Sequence, residues 1–157
     1  MLEIERKFLV TSEAYKKEAF RKERIVQGFL NTHPDRTVRV RIKGTHAFLT
    51  VKGRSNDAGT IRSEWETQIP IPDAEQLLTL CEPSIIEKIR FEVKIGPHIF
   101  EVDEFLGANE GLSIAEIELT TEDETFTRPE WLGVEVTGKT QYYNSQLSSN
   151  PFKFWKK

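Results

Sequence analysis

The sequence has one cysteine and no hydrophobic run long enough to cross a membrane as a helix. Cys81 is the only cysteine among 157 residues, so an internal disulfide cannot form and a reducing cytoplasm suits the chain. The opening residues, MLEIERKFLV, carry charges through their apolar stretch, unlike a signal peptide. We therefore expect a cytoplasmic protein without a membrane partner.

The chain also lacks a strong net charge. Its 22 basic and 25 acidic side chains give a formal net charge of −3, which does not indicate nucleic-acid binding. The three histidines show no spacing typical of metal ligands. With 38% hydrophobic residues and ten Phe, the chain can build one core, and we expect a single domain over residues 1–157.

What the sequence does have is a period-two alternation of apolar and charged residues, which predicts β-strands. Eight strands are predicted, at residues 2–10, 24–30, 37–43, 47–52, 61–69, 85–95, 98–105 and 112–120, with a further short one at 133–137. Helices are predicted at about residues 12–22, where Ser12 can cap the first turn, and at residues 73–81 after two prolines.

The charged residues fall on one face of each strand and are sorted by sign. Four strands carry acidic pairs at i and i+2, such as Glu3 and Glu5, and two carry basic pairs, such as Arg39 and Arg41. Side chains at this spacing lie roughly 7 Å apart, so an acidic pair is unfavourable unless cations offset it. The candidate residues on these faces are Glu3, Glu5, Lys7, Arg39, Arg41, Lys52, Glu64, Glu66, Lys88, Arg90, Glu101, Asp103, Glu116 and Glu118.

Two folds are compatible with such faces. One is an open sheet with an apolar core face and a charged face in solvent. The other is a closed barrel whose charged faces point inward, and eight strands enclose room for one small ligand. In the barrel, basic side chains can bind an anion while carboxylates supply the oxygen ligands that Mg²⁺ or Mn²⁺ prefers. We therefore expect an α+β fold, an eight-stranded antiparallel β-barrel with a charged interior and helices packed outside.

The opening Glu3-Ile4-Glu5-Arg6-Lys7-Phe8 resembles the ExExK signature of the CYTH superfamily, also called triphosphate tunnel metalloenzymes. Similar segments follow in order along nearly the whole chain: Gln27-Gly28-Phe29-Leu30, Arg39-Val40-Arg41, Thr50-Val51-Lys52, Glu64-Trp65-Glu66, Glu87-Lys88-Ile89-Arg90-Phe91, Glu101-Val102-Asp103, Glu116-Ile117-Glu118 and Glu135-Val136-Thr137, then Tyr142 and Asn144. The compact length is similar to that of the short bacterial members, many of which are tripolyphosphatases.

The resemblance implies roles for the charged residues. Substrate phosphates would meet Lys7, Arg39, Arg41, Lys52, Lys88 and Arg90. Metal would be bound by Glu3, Glu5, Asp103, Glu116 and Glu118, with Glu64, Glu66 and Glu101 supporting these ligands or holding a second ion. In related short members a lysine of the EKxR segment is proposed to activate or orient water, so Lys88 is the predicted catalytic residue.

Two segments depart from the family pattern. Many relatives have Tyr at the position of Phe29, sometimes assigned as a proton acceptor, and a phenyl ring cannot accept a proton. The tail reads Lys139-Thr140-Gln141-Tyr142 where many members have an acidic and then a basic residue before the Tyr. This difference weakens the expectation that the tail closes one end of the tunnel.

The predicted function is a divalent-metal-dependent triphosphatase that hydrolyses inorganic tripolyphosphate, with thiamine triphosphate or nucleoside triphosphates as other possible substrates. One alternative is an adenylate cyclase of the same superfamily, which would release pyrophosphate from ATP. Another is a non-catalytic module that binds polyphosphate or phosphorylated ligands. The sequence leaves open the physiological substrate, the preferred metal, the general base and the oligomeric state, monomer or homodimer.

Overall fold

The computed structural model of the chain describes residues 1–155. Within this range the strands are β1 (Leu2–Val10), β2 (Arg21–Asn31), β3 (Arg36–Lys43), β4 (His46–Gly53), β5 (Ile61–Ile69), β6 (Ile86–Ile95), β7 (His98–Phe105), β8 (Ser113–Glu118) and β9 (Leu132–Glu135). The α-helices are α1 (Tyr15–Glu18), α2 (Ile71–Leu78) and α3 (Asn144–Leu147). Turns of 3₁₀ helix lie at Gly107–Asn109, Thr140–Tyr142 and Phe152–Phe154.

The first eight strands form a closed antiparallel barrel, as the sequence predicts. Their order is β5-β4-β3-β2-β6-β7-β8-β1, and the barrel closes because β1 also pairs with β5. That closing seam is short, since it pairs only Leu2, Glu3 and Ile4 with β5. Beyond it, β9 pairs with the C-terminal part of β1, at Phe8 and Val10.

A close crossing of two glycines lies beside this seam, where the loop before β5 meets the segment after β9. Gly59 and Gly138 both have a positive φ, +77° and +78°. A Cβ built on Gly59 would lie 2.3 Å from the Cα of Gly138, so this approach is possible only without side chains. The crossing brings the two segments together where β5 and β9 diverge along β1.

Most of the apolar strand faces point outward, where helices and loops cover them. On one side Phe91, Phe100 and Ile117 pack with Tyr15 of α1 and with Trp131, and all five are buried. On the opposite side Val40 and Ala47 pack against Ala74 of α2, which is fully buried. The sequence-based expectation of helices packed outside the barrel is therefore confirmed.

One end of the barrel interior is apolar rather than charged. A cluster that we call the apolar plug consists of Phe29, Ile86, Phe105, Leu112, Ile114 and Leu147. Leu147 belongs to α3 and is fully buried, while Tyr142, Phe152 and Trp155 pack against the plug from outside. The backbone N–H of Phe152 donates to Oδ1 of Asn109 at 2.8 Å, which anchors the end of the tail. The tail therefore packs across this end of the barrel despite its unusual sequence.

The helix predicted over residues 12–22 is wrong beyond its first turn. Only Tyr15–Glu18 is helical, because Ala19 is already extended (ψ 134°) and β2 begins at Arg21. Residues 21–27 pair with β6, so each gains ladder partners that an isolated short helix could not offer. The helix predicted over residues 73–81 instead spans Ile71–Leu78, with Pro70 as the N-cap.

The remaining predicted bounds are close to those observed. The strands predicted at 61–69 and 98–105 match β5 and β7, and the short strand predicted at 133–137 corresponds to Leu132–Glu135. The strand predicted at 112–120 is shorter, Ser113–Glu118, because β7 pairs with it only through residue 117 and a bend follows. Among residues 1–155, none of the helices has both the length and the hydropathy that a membrane span requires.

Candidate active site

The charged faces of the strands meet in the barrel interior around a cavity of about 220 Å³. It is smaller than the roughly 300–1,000 Å³ of pockets for drug-sized ligands, so it suits a small compact ligand. The predicted site residues that line it are Glu3, Glu5, Lys7, Arg39, Arg41, Lys52, Glu64, Glu66, Lys88, Arg90, Glu101, Glu116 and Glu118. An enclosed charged lumen, rather than an open sheet with a solvated face, is therefore what these strands form.

The two signs of charge lie on facing sides of the lumen. Arg39 and Arg41 on β3, with Lys88 and Arg90 on β6, form what we call the basic wall. The strand between them, β2, lies across the eight-stranded barrel from β1. The acidic wall, as we define it, consists of Glu3 and Glu5 on β1 and Glu116 and Glu118 on β8.

The cations of the basic wall are crowded and only partly paired. Burial, reinforced by Arg39 and Arg90, lowers the pKa of Arg41 to about 9. Burial and then Arg90 also lower the pKa of Arg39. The Nε atoms of Arg39 and Arg41 are buried and have no hydrogen-bond partner within residues 1–155. A bound anion would relieve this repulsion, so the wall has the character of an anion site.

Asp103 is the fixed counter-charge of the basic wall. Arg90 donates to it twice, at 2.8 and 2.9 Å, and Lys88 Nζ lies 2.8 Å from its Oδ2. Its pKa is lowered to about 2, because Arg90 and Lys88 together outweigh the burial that would raise it. The side chain is only 1% exposed, and Asp103 does not line the cavity. In this structure Asp103 orients the two cations, and its role as a metal ligand stays a prediction.

Two lysines separate the carboxylates of the acidic side. Lys7 Nζ donates to Glu116 at 2.5 Å and to Glu5 at 3.1 Å. Lys52 Nζ donates to Glu3 at 2.8 Å and lies 3.5 Å from Glu64. At least one carboxylate of three of the predicted acidic pairs, those on β1, β5 and β8, therefore has a lysine as its partner.

The lysines do not compensate the acidic wall fully. Burial and then the charge of Glu116 raise the pKa of Glu5 to about 7. Burial, followed by Glu3 and Glu101, also raises the pKa of Glu118. Excess negative charge on hard oxygen donors fits a divalent cation such as Mg²⁺ or Mn²⁺. Among residues 1–155 no three His, Cys, Asp or Glu side chains form a group able to hold a metal ion.

The other predicted acidic residues contact the basic wall. Glu66 accepts from Thr50 at 2.7 Å and lies 3.5 Å from Arg39, whereas Glu101 lies 3.2 Å from Arg90. Their carboxylates therefore lie between the two walls. Their proposed part in a second metal site stays a prediction.

Two residues that line the cavity, Asn144 and Arg62, and Gln27, which contacts Asn144, were not assigned a role from the sequence. Lys88 Nζ donates to Oδ1 of Asn144 at 2.9 Å, and Gln27 Nε2 donates to the same oxygen at 3.0 Å. Arg62, whose Nη2 donates to Thr37 Oγ1 at 3.2 Å, also lines the cavity. Gln27 and Asn144 lie in the segments similar to the family, and Arg62 lies two residues before Glu64 on the same strand face. Membership in those segments and on that strand face is the sequence feature that could have identified these residues.

Comparison with known proteins gives a consistent result. The chain matches the CYTH domain over residues 1–149. It is 46% identical to an inorganic triphosphatase of Acetivibrio thermocellus, covering 98% of this chain and 97% of that protein. It is 36% identical to an inorganic triphosphatase of Nitrosomonas europaea, with 94% and 97% covered.

Solved structures share the fold. The crystal structure of the inorganic triphosphatase NE1496 superposes with a TM-score of 0.63 at 33% identity, covering 93% of this chain and 97% of that chain. A putative adenylyl cyclase from Hippeastrum, HpAC1, described as having a dominant triphosphatase activity, superposes with a TM-score of 0.61, covering 76% of this chain and 80% of that chain. At 13% identity, this second likeness concerns the fold alone.

Proposed function

Since the chain belongs to the CYTH domain family, we propose that it is a metal-dependent triphosphatase that hydrolyses inorganic tripolyphosphate. The observation that supports this most directly is the enclosed lumen in which a basic wall faces an acidic wall. A polyanion and a cation are complementary to those two walls. The names of the Acetivibrio and Nitrosomonas relatives, both inorganic triphosphatases, agree with this substrate.

The basic wall would bind the phosphate chain. The Nε atoms of Arg39 and Arg41 have no hydrogen-bond partner among the described residues 1–155, and guanidinium groups can contact two phosphate oxygens at once. Asp103 holds Arg90 in place through two hydrogen bonds, so this cation is oriented before the substrate arrives. Preorganised cations of this kind stabilise the charge that develops on the transferred phosphoryl group.

The acidic wall would hold Mg²⁺ or Mn²⁺. Glu3, Glu5, Glu116 and Glu118 are the proposed ligands, because their carboxylates are crowded and two of them have a raised pKa. When bound, the ion would supply Lewis-acid polarisation of phosphoryl oxygens and neutralise negative charge. Lys7 and Lys52, which contact these carboxylates in the ligand-free protein, would then be free to contact phosphate oxygens.

Lys88 is the proposed catalytic residue. Burial lowers its pKa to about 8, against the opposing effect of Asp103. A lysine with this pKa can accept a proton from an attacking water near neutral pH. Phe29 lines the same cavity but has no group that could accept a proton. We therefore propose that Lys88 orients and activates the attacking water.

The test is an assay of purified protein with tripolyphosphate, ATP and thiamine triphosphate, each with Mg²⁺, Mn²⁺ or EDTA. We expect orthophosphate and pyrophosphate from tripolyphosphate with a metal ion, and background rates with EDTA. Equal rates with EDTA would refute metal dependence. Conversion of ATP to pyrophosphate and a cyclic nucleotide would identify a cyclase, and binding without turnover under every condition would identify a binding module.

The remaining parts of the proposal concern the domain organisation, the location and the partners of the protein. We propose that residues 1–157 act as one domain, which the single continuous sheet of β1 to β9 supports. A cytoplasmic location is proposed because Cys81 is the only cysteine and is free. The proposed partner is the small triphosphate itself, without nucleic acid or membrane.

A further inference from the structure

The ammonium group of Lys88 is held from two sides. It lies 2.8 Å from Oδ2 of Asp103 and donates to Oδ1 of Asn144 at 2.9 Å. The Lys88 side chain is 1% exposed, so water competes little for these contacts. A lysine ammonium has three N–H donors. With two of them directed at Asp103 and Asn144, the third has a restricted direction, and Lys88 lines the cavity.

The amide of Asn144 is itself fixed by a second amide. Gln27 Nε2 donates at 3.0 Å to the same Oδ1 that accepts from Lys88. Gln27 is fully buried on β2, and its Oε1 has no hydrogen-bond partner within residues 1–155. A buried polar atom without a partner is unfavourable, and an apolar side chain of the same size would avoid it. The side-chain hydrogen bond that Gln27 donates orients Asn144.

The backbone of Asn144 is held by the tail. Asn144 is the first residue of α3, and Leu147 of the same helix is fully buried in the apolar plug. Beyond α3, the tail is anchored by the hydrogen bond from Phe152 N to Asn109 Oδ1. The tail is therefore connected to the amino group of Lys88 through the packing of Leu147 and the hydrogen bond from Lys88 Nζ to Asn144 Oδ1.

From this arrangement we propose that Asn144 is a positioning residue for Lys88, and that Gln27 and α3 hold it in place. The proposal rests on the proposed function, because it concerns the residue that acts on water. Asn144 acts through Lys88, so its loss disturbs the direction of the lysine amine more than the binding of the phosphate chain. A misplacement of about 1 Å in a catalytic group can lower turnover by about 100-fold.

The test compares three variants of the full-length protein in the tripolyphosphate assay. Asn144→Leu removes the acceptor at nearly constant volume, whereas Asn144→Asp keeps an acceptor oxygen. Ser148→Ala is the matched control, because Ser148 lies just beyond the same helix and its Oγ donates to Ser145 O at 2.8 Å. We expect Asn144→Leu to lower kcat by about 10- to 100-fold with KM nearly unchanged and Ser148→Ala to resemble the wild type. Asn144→Asp should recover most of kcat, but only at a more alkaline pH, because the added carboxylate raises the pKa of Lys88.

Gln27→Met provides a second variant if Asn144→Leu does not fold, because it leaves α3 intact. It should lower kcat by about three- to tenfold with the same KM, since Asn144 keeps its backbone position. Unchanged kcat in either variant that folds overturns the proposal. So does a rise in KM with kcat retained, which would make Asn144 a substrate ligand instead.

Crystal structures of the wild type and a folded variant separate this inference from the proposed function. We expect the Lys88 amine to leave its wild-type position when Asn144 loses its acceptor or its anchor. An amine that stays in place overturns the positioning role, whatever the activity. If the wild type releases no phosphate with any metal, the proposed function is overturned. The position of the Lys88 amine in the two structures still decides whether Asn144 orients Lys88.

Discussion

The two walls of the lumen carry opposite charges and are stabilised in different ways. On the basic wall, Arg90 is held by two hydrogen bonds to Asp103, a short side chain that is 1% exposed. On the acidic wall the counter-charges are Lys7 and Lys52, which have long flexible stems. Arginine paired with a short carboxylate is rigid, whereas lysine can exchange partners. The charged groups of the basic wall are therefore held more rigidly than those of the acidic wall.

The largest effect expected from either wall is on catalysis. Lys88→Ala removes the proposed catalytic amine and leaves the Arg90–Asp103 pair intact, so kcat should fall by about 10²- to 10⁴-fold. Affinity for a non-hydrolysable imido analogue of tripolyphosphate, measured by calorimetry, should change little. Lys94→Ala, an exposed lysine on the same strand, is the control. Full turnover in Lys88→Ala would remove Lys88 from catalysis, and a loss of affinity alone would reduce its role to electrostatic binding.

The next largest expected effect is a difference in the free energy of unfolding between substitutions on the two walls. Asp103→Asn leaves two buried cations short of their counter-charge and should lower the free energy of unfolding by about 3–5 kcal/mol. Glu5→Gln removes a carboxylate whose pKa is raised to about 7 by burial and by Glu116, so it should be nearly neutral or slightly stabilising. Urea unfolding in EDTA at pH 7.5 measures both. Equal destabilisation by the two substitutions would contradict the difference between the walls.

The acidic wall should also reveal itself in the pH dependence of stability. Between pH 4.5 and 7 the folded protein keeps a proton on Glu5 that the unfolded chain has released. The free energy of unfolding therefore falls as pH rises through this window, by up to about 3 kcal/mol from this residue. Urea titrations of the ligand-free protein at pH 5, 6 and 7 should show a smaller decline for Glu5→Gln. If the free energies of unfolding of the wild type and Glu5→Gln change in parallel with pH, Glu5 is not the source of the decline.

The basic wall predicts the opposite slope at higher pH. Above pH 8 the folded protein releases the Lys88 proton, whereas the unfolded chain keeps it up to the ordinary lysine pKa of about 10.5. The free energy of unfolding of the wild type should therefore rise relative to Lys88→Met, by about 2 kcal/mol between pH 8 and 9.5. Urea titrations of the two proteins between pH 8 and 9.5 measure this difference in the free energy of unfolding. A difference that is constant over this range would rule out a lowered pKa for Lys88.

The barrel could be predicted from the sequence because charge and apolarity alternate strictly on most strands. On β1 the inward positions Glu3, Glu5 and Lys7 are all charged, and on β3 so are Arg39, Arg41 and Lys43, so the inward face can be recognised from the residues alone. On β2 the inward positions pair with Lys88, Arg41 and Arg39 but are occupied by Ile25, Gln27 and Phe29. Because these three residues are uncharged, the pattern of charges could not identify them as inward-facing.

Other features depend on contacts between distant segments. The pairing of β6 with β7 places Arg90 opposite Asp103, and only that register reveals that the carboxylate is already engaged by cations. Asn144 is 56 residues along the chain from Lys88 and reaches it because Leu147 packs into the apolar plug. Helical propensity near residue 20 was likewise overridden by pairing with β6. Contacts between segments far apart in the chain determine these features, so they could not be predicted from the local sequence.

The short seam between β1 and β5 has a consequence for the motions of the barrel. Its three residue pairs are the briefest ladder among the eight that close the wall, so this is where local opening costs the least and where backbone amides should exchange with solvent soonest. Glu3 lies within that stretch and Glu5 just after it. A divalent ion bound by Glu3 and Glu5 together with Glu116 and Glu118 would join β1 to β8. Binding it should therefore restrain one of the two strands of the seam and slow amide exchange there.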